Sequence, residues 1–325
     1  MTRQAPTDGV AYHPWRTHQV PCNLCGGTEF VELYPSTLTG RPPLQDLCMC
    51  TGTDYGLCGP IMRCTGCGLV LQNPQPVPED LLAGYEEVVD VRYDEEREGR
   101  LHTFSQSLRE LEHHAAPGRL LDVGAYLGFF VEVARTNGWD AEGIEPSRWA
   151  AETSQARDLP VRSGSLENLE CDASYDVVTL WDVIEHLSDP LGSLKHLRGM
   201  LKPGGVLALS TMDVDAPVAR ILGRRWPWYM QMHLYYFSKR SLEDLVRRAG
   251  YEVVEIRRHR RIVTITYLIS RLERRIGVAY PLLERVVKVL GIGRRLVTVD
   301  LGDIVTLFAR KPLGILPAAR NGLHA

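Results

Sequence analysis

The stretch Arg119-Leu-Leu-Asp-Val-Gly-Ala-Tyr-Leu-Gly-Phe-Phe130 decides the fold. A strand that is covered on both faces is predicted by the apolar Leu120, Leu121 and Val123. Gly124 ends this strand where the backbone must turn sharply. The apolar stripe that begins at Phe129 then predicts a helix. Strand, glycine turn and helix in this order are typical of a parallel α/β sheet.

The glycine turn predicts a cradle for a ligand that contains adenosine. A dinucleotide site would favour the spacing Gly-x-Gly-x-x-Gly, but this turn has Gly124 and Gly128 with Tyr126 at the middle position. The spacing therefore disfavours NAD. A second strand is predicted over residues 141–144, and Glu145 follows it where a carboxylate can bind both ribose hydroxyls.

Two further strands are predicted downstream. One covers residues 175–180 and places Asp182 just beyond its carboxyl end, and the other follows a Pro-Gly turn and ends near Ser210. Open α/β sheets bind ligands at the carboxyl ends of their strands. We therefore expect one cleft to be lined by Gly124, Glu145, Asp182 and Ser210.

Four segments in this order resemble the motifs of the class I S-adenosylmethionine-dependent methyltransferases. They are Leu121-Asp-Val-Gly-Ala-Tyr-Leu-Gly, Gly143-Ile-Glu-Pro-Ser, Trp181-Asp-Val-Ile-Glu-His-Leu and Leu201-Lys-Pro-Gly-Gly. The resemblance covers about residues 100–260. It implies an α/β fold with a Rossmann-like, seven-stranded, doubly wound sheet whose last strand, expected at residues 302–309, is antiparallel. It also implies S-adenosyl-L-methionine as the cofactor.

The resemblance implies a set of cofactor-binding residues. In this set Glu145 would hold the ribose, and Ser165 and Leu166 would flank the adenine. Tyr126 stands where the family pattern has glycine, so its side chain would narrow the methionine pocket. If it closed the pocket, the chain would be a zinc-bearing interaction module with an inactive sheet. The full set is Asp122, Gly124, Ala125, Tyr126, Gly128, Glu145, Pro146, Ser165, Leu166, Trp181 and Asp182.

Two histidines are the candidate catalytic groups, because methyl transfer to a hydroxyl or an acidic carbon needs a base. His186 lies near the end of the Trp181 motif, where a structural role is an equally good interpretation. His233 follows the aromatic cluster of Trp226, Trp228 and Tyr229. These rings suit the C–H face of a sugar, although they could equally be core residues.

A pair of Cys-x-x-Cys-Gly knuckles near the amino terminus predicts a structural zinc site. Its four thiolates would be Cys22, Cys25, Cys64 and Cys67, and four-thiolate sites leave no position open for catalysis. Disulfide pairing is the alternative, but the sequence shows no signal peptide, so we expect a reducing cytoplasm. We expect the remaining cysteines of this region, Cys48, Cys50 and Cys58, to pack in a loop folded over the metal. A zinc unit ahead of this sheet resembles bacterial sugar and natural-product methyltransferases.

The 325 residues, 44% of them hydrophobic, allow one full α/β domain and a small appendage. We predict a zinc-binding domain over residues 1–78, a linker with a cofactor-capping helix over 79–118, the methyltransferase domain over 119–312, and a tail over 313–325. The capping helix is expected at about residues 100–114. In the acidic stretch that precedes it, Tyr85 or Tyr93 could reach the methionine carboxylate or simply pack. A helical insertion is predicted over residues 259–298.

The charge is divided along the chain. Residues 1–219 hold 16 Lys and Arg against 32 Asp and Glu, whereas residues 220–325 hold 21 against 8. A basic amphipathic helix is predicted from residue 262, flanked by arginines that include Arg274 and Arg275. The excess positive charge of residues 220–325 predicts an anionic partner. The candidates are the diphosphate of a carrier-linked sugar, the surface of the inner membrane, and a second copy of the chain in a homodimer. Nucleic acid is the weakest candidate, because few aromatics interleave the charges.

These observations predict methyl transfer to a small or carrier-linked acceptor, specifically O-methylation of a sugar in polysaccharide or natural-product biosynthesis. The alternatives are C-methylation of a nucleotide-linked ketosugar and methylation of an RNA base. The sequence does not name the acceptor.

Overall fold

The computed structural model describes residues 15–38, 44–51, 56–271 and 277–313. The strands within these ranges are β1 (Thr17–His18), β2 (Phe30–Tyr34), β3 (Ile61–Cys64), β4 (Val70–Gln72), β5 (Gln75–Pro76), β6 (Arg119–Val123), β7 (Asp140–Glu145), β8 (Val161–Ser163), β9 (Tyr175–Trp181), β10 (Leu201–Met212), β11 (Tyr235–Tyr236), β12 (Glu252–Arg258), β13 (Arg261–Thr264), β14 (Leu296–Val299) and β15 (Ile304–Arg310).

The helices within the same ranges are α1 (Leu44–Leu47), α2 (Pro78–Glu86), α3 (Arg97–Leu111), α4 (Phe129–Thr136), α5 (Arg148–Gln155), α6 (Pro190–Met200), α7 (Pro217–Leu222), α8 (Lys239–Arg248), α9 (Ile265–Ser270) and α10 (Tyr280–Val289). In this part of the chain no helix combines the length and the apolar character that a membrane crossing requires. Most of the predicted tail, together with Arg274 and Arg275, lies outside the described residues.

Seven strands form the central sheet in the order β12-β15-β10-β9-β6-β7-β8. Neighbouring strands from β10 to β8 run parallel, whereas β15 is antiparallel to both of its neighbours. Consecutive residues of β9, Val177 and Val178, are buried in two different apolar clusters, so both faces of the sheet are covered. The predicted α/β fold, with a seven-stranded doubly wound sheet and an antiparallel last strand, is confirmed.

The turn after β6 has the geometry that its glycines require. The amides of Gly124 and Ala125 both donate to the carbonyl of Ile144, which ties the turn to the end of β7. Gly124 has a φ of +70°, and a Cβ there would lie 2.6 Å from the side chain of Val183. Because a Cβ at this position would clash with Val183, only glycine lets the turn approach the side chain of Val183 this closely.

The cysteine-bearing unit shares a sheet with the rest of the chain. Its strands β2, β3 and β4 pair in sequence order, and β11, which follows the central sheet's β10 along the chain, completes the order β11-β4-β3-β2. The amide nitrogen Nε2 of Gln72 donates to backbone carbonyls in residues 230–233. The two parts are therefore joined through backbone pairing and not only by the linker.

The insertion after β12 begins as a strand. Residues 261–264 form β13, which pairs antiparallel with β14, so the helix predicted from residue 262 is wrong over its first three residues. The structure places helix at α9 and α10 instead. β13 lies against α3, where the hydroxyl of Thr103 bonds both the amide and the carbonyl of Ile262. This contact brings Arg261 towards the central sheet.

Candidate functional site

A cavity of about 640 Å³ opens at the carboxyl ends of β6, β7 and β9. Ligand pockets in proteins span about 300–1,000 Å³, so the cavity has room for a cofactor-sized molecule. Its position follows the general rule for open α/β sheets. Residues before the central sheet also line it, including Tyr85 of α2 and Tyr93, which precedes α3.

The structure brings most of the predicted cofactor residues to this cavity. Eight of them line it: Gly124, Tyr126, Glu145, Pro146, Ser165, Leu166, Trp181 and Asp182. Asp122, Ala125 and Gly128 are not part of the lining. The Asp122 Oδ1 instead accepts a hydrogen bond of 2.6 Å from the Thr179 hydroxyl on β9. Burial raises the pKa of Asp122 to about 7.

Glu145 is held by the turn that it faces. One carboxylate oxygen accepts from the Tyr126 amide at 2.9 Å, and the other accepts from the Ser147 amide at 2.8 Å. Each oxygen keeps a further lone pair, which can accept from a ribose hydroxyl. Burial raises the pKa of Glu145 to about 7, in spite of these two amide donors.

Tyr126 narrows the cavity without filling it. Its φ of +48° is the left-handed conformation that glycine favours. Its ring packs edge-on against Tyr93, with centroids 4.4 Å apart, and more loosely against Trp149. The phenol oxygen is buried and has no hydrogen-bond partner among the described residues. The glycine position is thus occupied by an aromatic wall, and its hydroxyl remains available to a ligand.

Arg100 is a cavity residue that the sequence did not single out. Its guanidinium stacks on the ring of Tyr93, with Cζ 3.4 Å from the centroid. Its buried Nε has no hydrogen-bond partner within the described ranges. An arginine at the start of α3 gives no sequence signal of its direction, because that depends on how the helix docks on the sheet.

A cluster of three polar side chains in the cavity lining is formed by Glu185, His186 and His233. We call this part of the cavity the acceptor end. The His186 and His233 rings lie 4.8 Å apart. Each Nδ1 contacts a backbone carbonyl oxygen, that of Met232 at 2.9 Å and that of Trp228 at 2.8 Å. A carbonyl can only accept, so the Nδ1 of His233 carries the proton and its Nε2 keeps a lone pair. The Nδ1 of His186 also lies 2.9 Å from the Tyr85 hydroxyl. Because the Met232 carbonyl needs a donor, this Nδ1 also carries the proton, and the Tyr85 oxygen accepts from the same N–H. Burial lowers the pKa of His186 to about 4 and that of His233 well below its usual value.

Asp182 and Arg261 form an ion pair on the cavity wall. The Ser210 hydroxyl donates to the other Asp182 oxygen at 2.9 Å. Burial opposes ionisation of Asp182, but the neighbouring Arg261 guanidinium holds its pKa below the usual value. The same guanidinium lies over the Trp228 ring, 5.0 Å from its centroid. The insertion therefore contributes a charged side chain to the site, which the helix prediction concealed.

The three remaining cysteines of the amino-terminal region do not gather over the knuckles, so that expectation is wrong. Cys48 and Cys50 line the cavity. Cys58 is buried in a separate cluster with Trp226 and Tyr229. Of the three aromatic residues predicted to face a sugar, only Trp228 lines the cavity. The rings of Trp226 and Tyr229 are buried in the apolar core.

The two knuckles bring their four cysteines together. Their four Sγ atoms all lie within 4.8 Å of one another, and they belong to Cys22, Cys25, Cys64 and Cys67. The knuckles are alike: Gly26 and Gly68 have φ values of +77° and +82°, and each donates its amide to the carbonyl of the first cysteine of its knuckle. The arrangement could hold a tetrahedral metal ion.

Comparison with known proteins agrees with this fold. A family model described as a methyltransferase domain matches residues 93–256, half of the chain. The ubiquinone biosynthesis O-methyltransferase of Cereibacter sphaeroides is 31% identical over 152 residues, which cover 42% of this chain and 61% of that protein. The tRNA U34 carboxymethyltransferase of Syntrophotalea carbinolica is 28% identical over 155 residues, which cover 43% and 47%. The chain thus matches about three fifths or less of the length of these relatives.

Among solved structures, an S-adenosylmethionine-dependent methyltransferase from Thermotoga maritima aligns with a TM-score of 0.44 and 22% identity, covering 66% of this chain and 91% of that one. The strand order and the family match point to the same group as the four sequence motifs. The chain therefore belongs to the methyltransferase domain family and has the class I S-adenosylmethionine-dependent methyltransferase fold.

Proposed function

We propose that the protein transfers a methyl group from S-adenosylmethionine to a hydroxyl oxygen of a small or carrier-linked acceptor, specifically a sugar in polysaccharide or natural-product assembly. The observation that carries this proposal is His233, whose Nε2 lone pair is left free by the Nδ1 bond to the Trp228 carbonyl. A base and an aromatic face thus stand together in the cavity.

The residues around the turn fit the cofactor. When bound, S-adenosylmethionine supplies an electrophilic methyl group on a sulfonium. Glu145 has lone pairs for two ribose hydroxyls, and Arg100 has a buried, unpartnered Nε that suits the methionine carboxylate. The unpartnered Tyr126 phenol and the unpartnered Trp181 indole nitrogen offer further hydrogen bonds. Buried polar atoms without partners are costly, so a polar ligand at this position would relieve several of them.

The acceptor end differs in its chemistry. The two imidazoles present Nε2 lone pairs, which activate a hydroxyl either by taking its proton or by holding a group that lowers its pKa. Trp228 lies beside them, with its ring centroid 6.4 Å from that of His233. Its face suits a sugar ring, and the Arg261–Asp182 pair can bind further hydroxyls.

We also propose that Cys22, Cys25, Cys64 and Cys67 bind a structural zinc ion. Zinc holds thiolates at about 2.3 Å, which sets sulfur atoms about 3.8 Å apart in a tetrahedron. Two of the pairs lie 3.4 and 3.5 Å apart. Only small movements are therefore needed to accept the ion, and four thiolates would leave no open position for catalysis.

The exposed surface of α10 supports the proposal of a peripheral membrane contact. Leu282 and Val289 of α10 are 67% and 80% exposed, and Arg285 and Lys288 lie on the same helix. Apolar and basic side chains on one helix are typical of binding to an anionic bilayer. Sedimentation with anionic and neutral vesicles tests this proposal. A dimer in solution that loses its partner on Leu282→Ser would instead assign this surface to a second copy.

The methyl-transfer proposal is tested by turnover. The purified chain, supplied with methyl-labelled S-adenosylmethionine and a panel of nucleotide-linked and lipid-linked sugars, should release S-adenosylhomocysteine and label an oxygen of one acceptor. Product NMR locates the methyl group. A methyl group on carbon would contradict O-methylation, and failure to bind either S-adenosylmethionine or S-adenosylhomocysteine in calorimetry would contradict the enzyme itself.

A further inference from the structure

We infer that Glu185, His186 and His233 bind a divalent cation at the acceptor end of the cavity. One ligand atom from each residue lies within 4.8 Å of the other two. His186 Nε2 lies 3.9 Å from Glu185 Oε1. Two imidazoles and one carboxylate are a recurrent ligand set for zinc, manganese and iron ions. The catalytic role of the cation rests on the proposed methyl transfer. The binding of the ion does not depend on that proposal.

Glu185 supplies an independent sign of a missing ligand. Its side chain is fully buried, and Oε2 accepts from the Thr211 hydroxyl at 2.9 Å. The other oxygen, Oε1, is buried without a hydrogen-bond partner among the described residues. A buried carboxylate oxygen without a partner costs free energy, and this one lies beside the two imidazoles. A cation at this point would satisfy it.

Both histidines are oriented as metal ligands usually are. A ligating imidazole commonly donates its other ring nitrogen to a carbonyl or a carboxylate, which fixes the tautomer and the direction of the lone pair. Here the Nδ1 of His186 and that of His233 donate to the Met232 and Trp228 carbonyls. Nε2 is then the free ligand atom of each ring.

The site is nearly preformed and open on one side. Ions bound by imidazole and carboxylate at about 2.0–2.2 Å set the ligand atoms roughly 3.3 Å apart, so the ligand atoms, which lie within 4.8 Å of one another, need to approach by at most about 1.5 Å. All three line the cavity, and three protein ligands leave at least one position for another group. A hydroxyl of the acceptor in that position would ionise at a lower pH.

This chemistry assigns a ligand class to the site. The acceptor would be a hydroxyl compound that can bind through one or two oxygens, such as a vicinal diol. On transfer the O–H bond breaks and its proton passes to water. The oxygen then bonds the methyl carbon as the carbon–sulfur bond breaks, with the electron pair retained by sulfur.

Manganese titration of the full, zinc-loaded chain tests the site, because Mn²⁺ is poorly bound by thiolates and does not report the cysteine cluster. Electron paramagnetic resonance should show about one Mn²⁺ bound per chain. We expect at least a tenfold loss of Mn²⁺ affinity in Glu185→Gln, which preserves the side-chain shape. His233→Gln is a second variant with the same expectation. His114→Gln, at a histidine outside the cavity lining, is the matched control and should bind as the wild type does.

Metal analysis of the purified chain before the titration shows whether another ion already occupies the Glu185–His186–His233 site. A wild-type chain that carries one metal equivalent and binds no Mn²⁺ would overturn the inference, as would a Glu185→Gln variant with unchanged affinity. Calorimetry with S-adenosylmethionine on the same samples separates the two proposals. Cofactor binding and turnover in a protein without the second cation would overturn the cation alone. A protein that binds Mn²⁺ but not S-adenosylmethionine would overturn the methyl transfer and leave the cation site standing.

Discussion

The Nε2 of Gln72 lies 2.6 Å from the carbonyl oxygen of His233. The same amide group also donates to the carbonyls of Met230 and Gln231, at 2.9 and 3.1 Å. Gln72 is fully buried and ends β4, the strand that pairs with β11. The cysteine-bearing unit therefore fixes the backbone from which His233 enters the cavity.

Replacing Gln72 by leucine should lower turnover and leave cofactor binding intact. The change removes the amide nitrogen whose two N–H groups hold three carbonyls of the loop that carries His233. A displacement of about 1 Å can cost about 100-fold in rate. We expect kcat to fall about 10- to 100-fold, with the Kd for S-adenosylmethionine within twofold of the wild type. Steady-state kinetics and calorimetry measure the two quantities. Gln106→Leu, at a half-buried position of α3 outside the cavity lining, is the control. An equal loss of cofactor affinity in Gln72→Leu would contradict a local positioning role.

Glu145→Gln should weaken S-adenosylmethionine binding. Above pH 7, where the Glu145 carboxyl is ionised, the variant keeps the shape but replaces a charged acceptor of two ribose hydroxyls. Hydrogen bonds to charged groups contribute about 1.5–3 kcal/mol. We therefore expect Kd to rise about 10- to 100-fold in calorimetry. Glu152→Gln, at an exposed position of α5, should bind like the wild type. Wild-type affinity in Glu145→Gln would remove Glu145 from the ribose site.

Arg100→Met should discriminate between ligands with and without the methionine carboxylate. The guanidinium rests on Tyr93 and has a free Nε, so its loss should raise the Kd for S-adenosylhomocysteine about tenfold. Methylthioadenosine lacks the carboxylate, and its Kd should stay within twofold. Calorimetry with both ligands makes the comparison within one protein. Equal losses for the two ligands would mean that Arg100 supports the cavity wall and not the carboxylate.

The sequence predicts the parts of this site that depend on local pattern. The strand, turn and helix around Gly124 are encoded by neighbouring residues, and Glu145 follows from the next strand. Arg100 and Gln72 could not be found in this way, because their roles depend on contacts with residues far along the chain. For the same reason, the sequence predicts a helix where β13 lies. Its partner β14 lies more than 30 residues away, and the apolar run between the arginines fits a helix and a strand equally well.

Cys64→Ser should remove the metal from the amino-terminal unit. Atomic absorption of the purified wild type should give at least one zinc per chain, and the variant should carry one fewer. Structural zinc sites contribute directly to folding, so the unfolding temperature should also fall. Cys171→Ser, at an exposed cysteine outside the cluster, is the control. Unchanged zinc content in Cys64→Ser would contradict the four-thiolate site.

Asp122→Asn should change how stability depends on pH. Burial raises the pKa of Asp122 from 3.8 to about 7, so between these values the folded chain holds a proton that the unfolded chain releases. This carboxyl therefore makes the wild type less stable as the pH rises from about 4 to 7, by up to about 4 kcal/mol at ~1.4 kcal/mol per pH unit. Asparagine keeps the acceptor for the Thr179 hydroxyl but cannot ionise.

Urea unfolding at pH 5 and pH 8 measures this difference. We expect the free energy of unfolding of Asp122→Asn, relative to the wild type, to rise between the two pH values. Asp140→Asn, at an exposed position of β7, should follow the wild type at both. A constant difference between Asp122→Asn and the wild type would mean that Asp122 is ionised throughout this range.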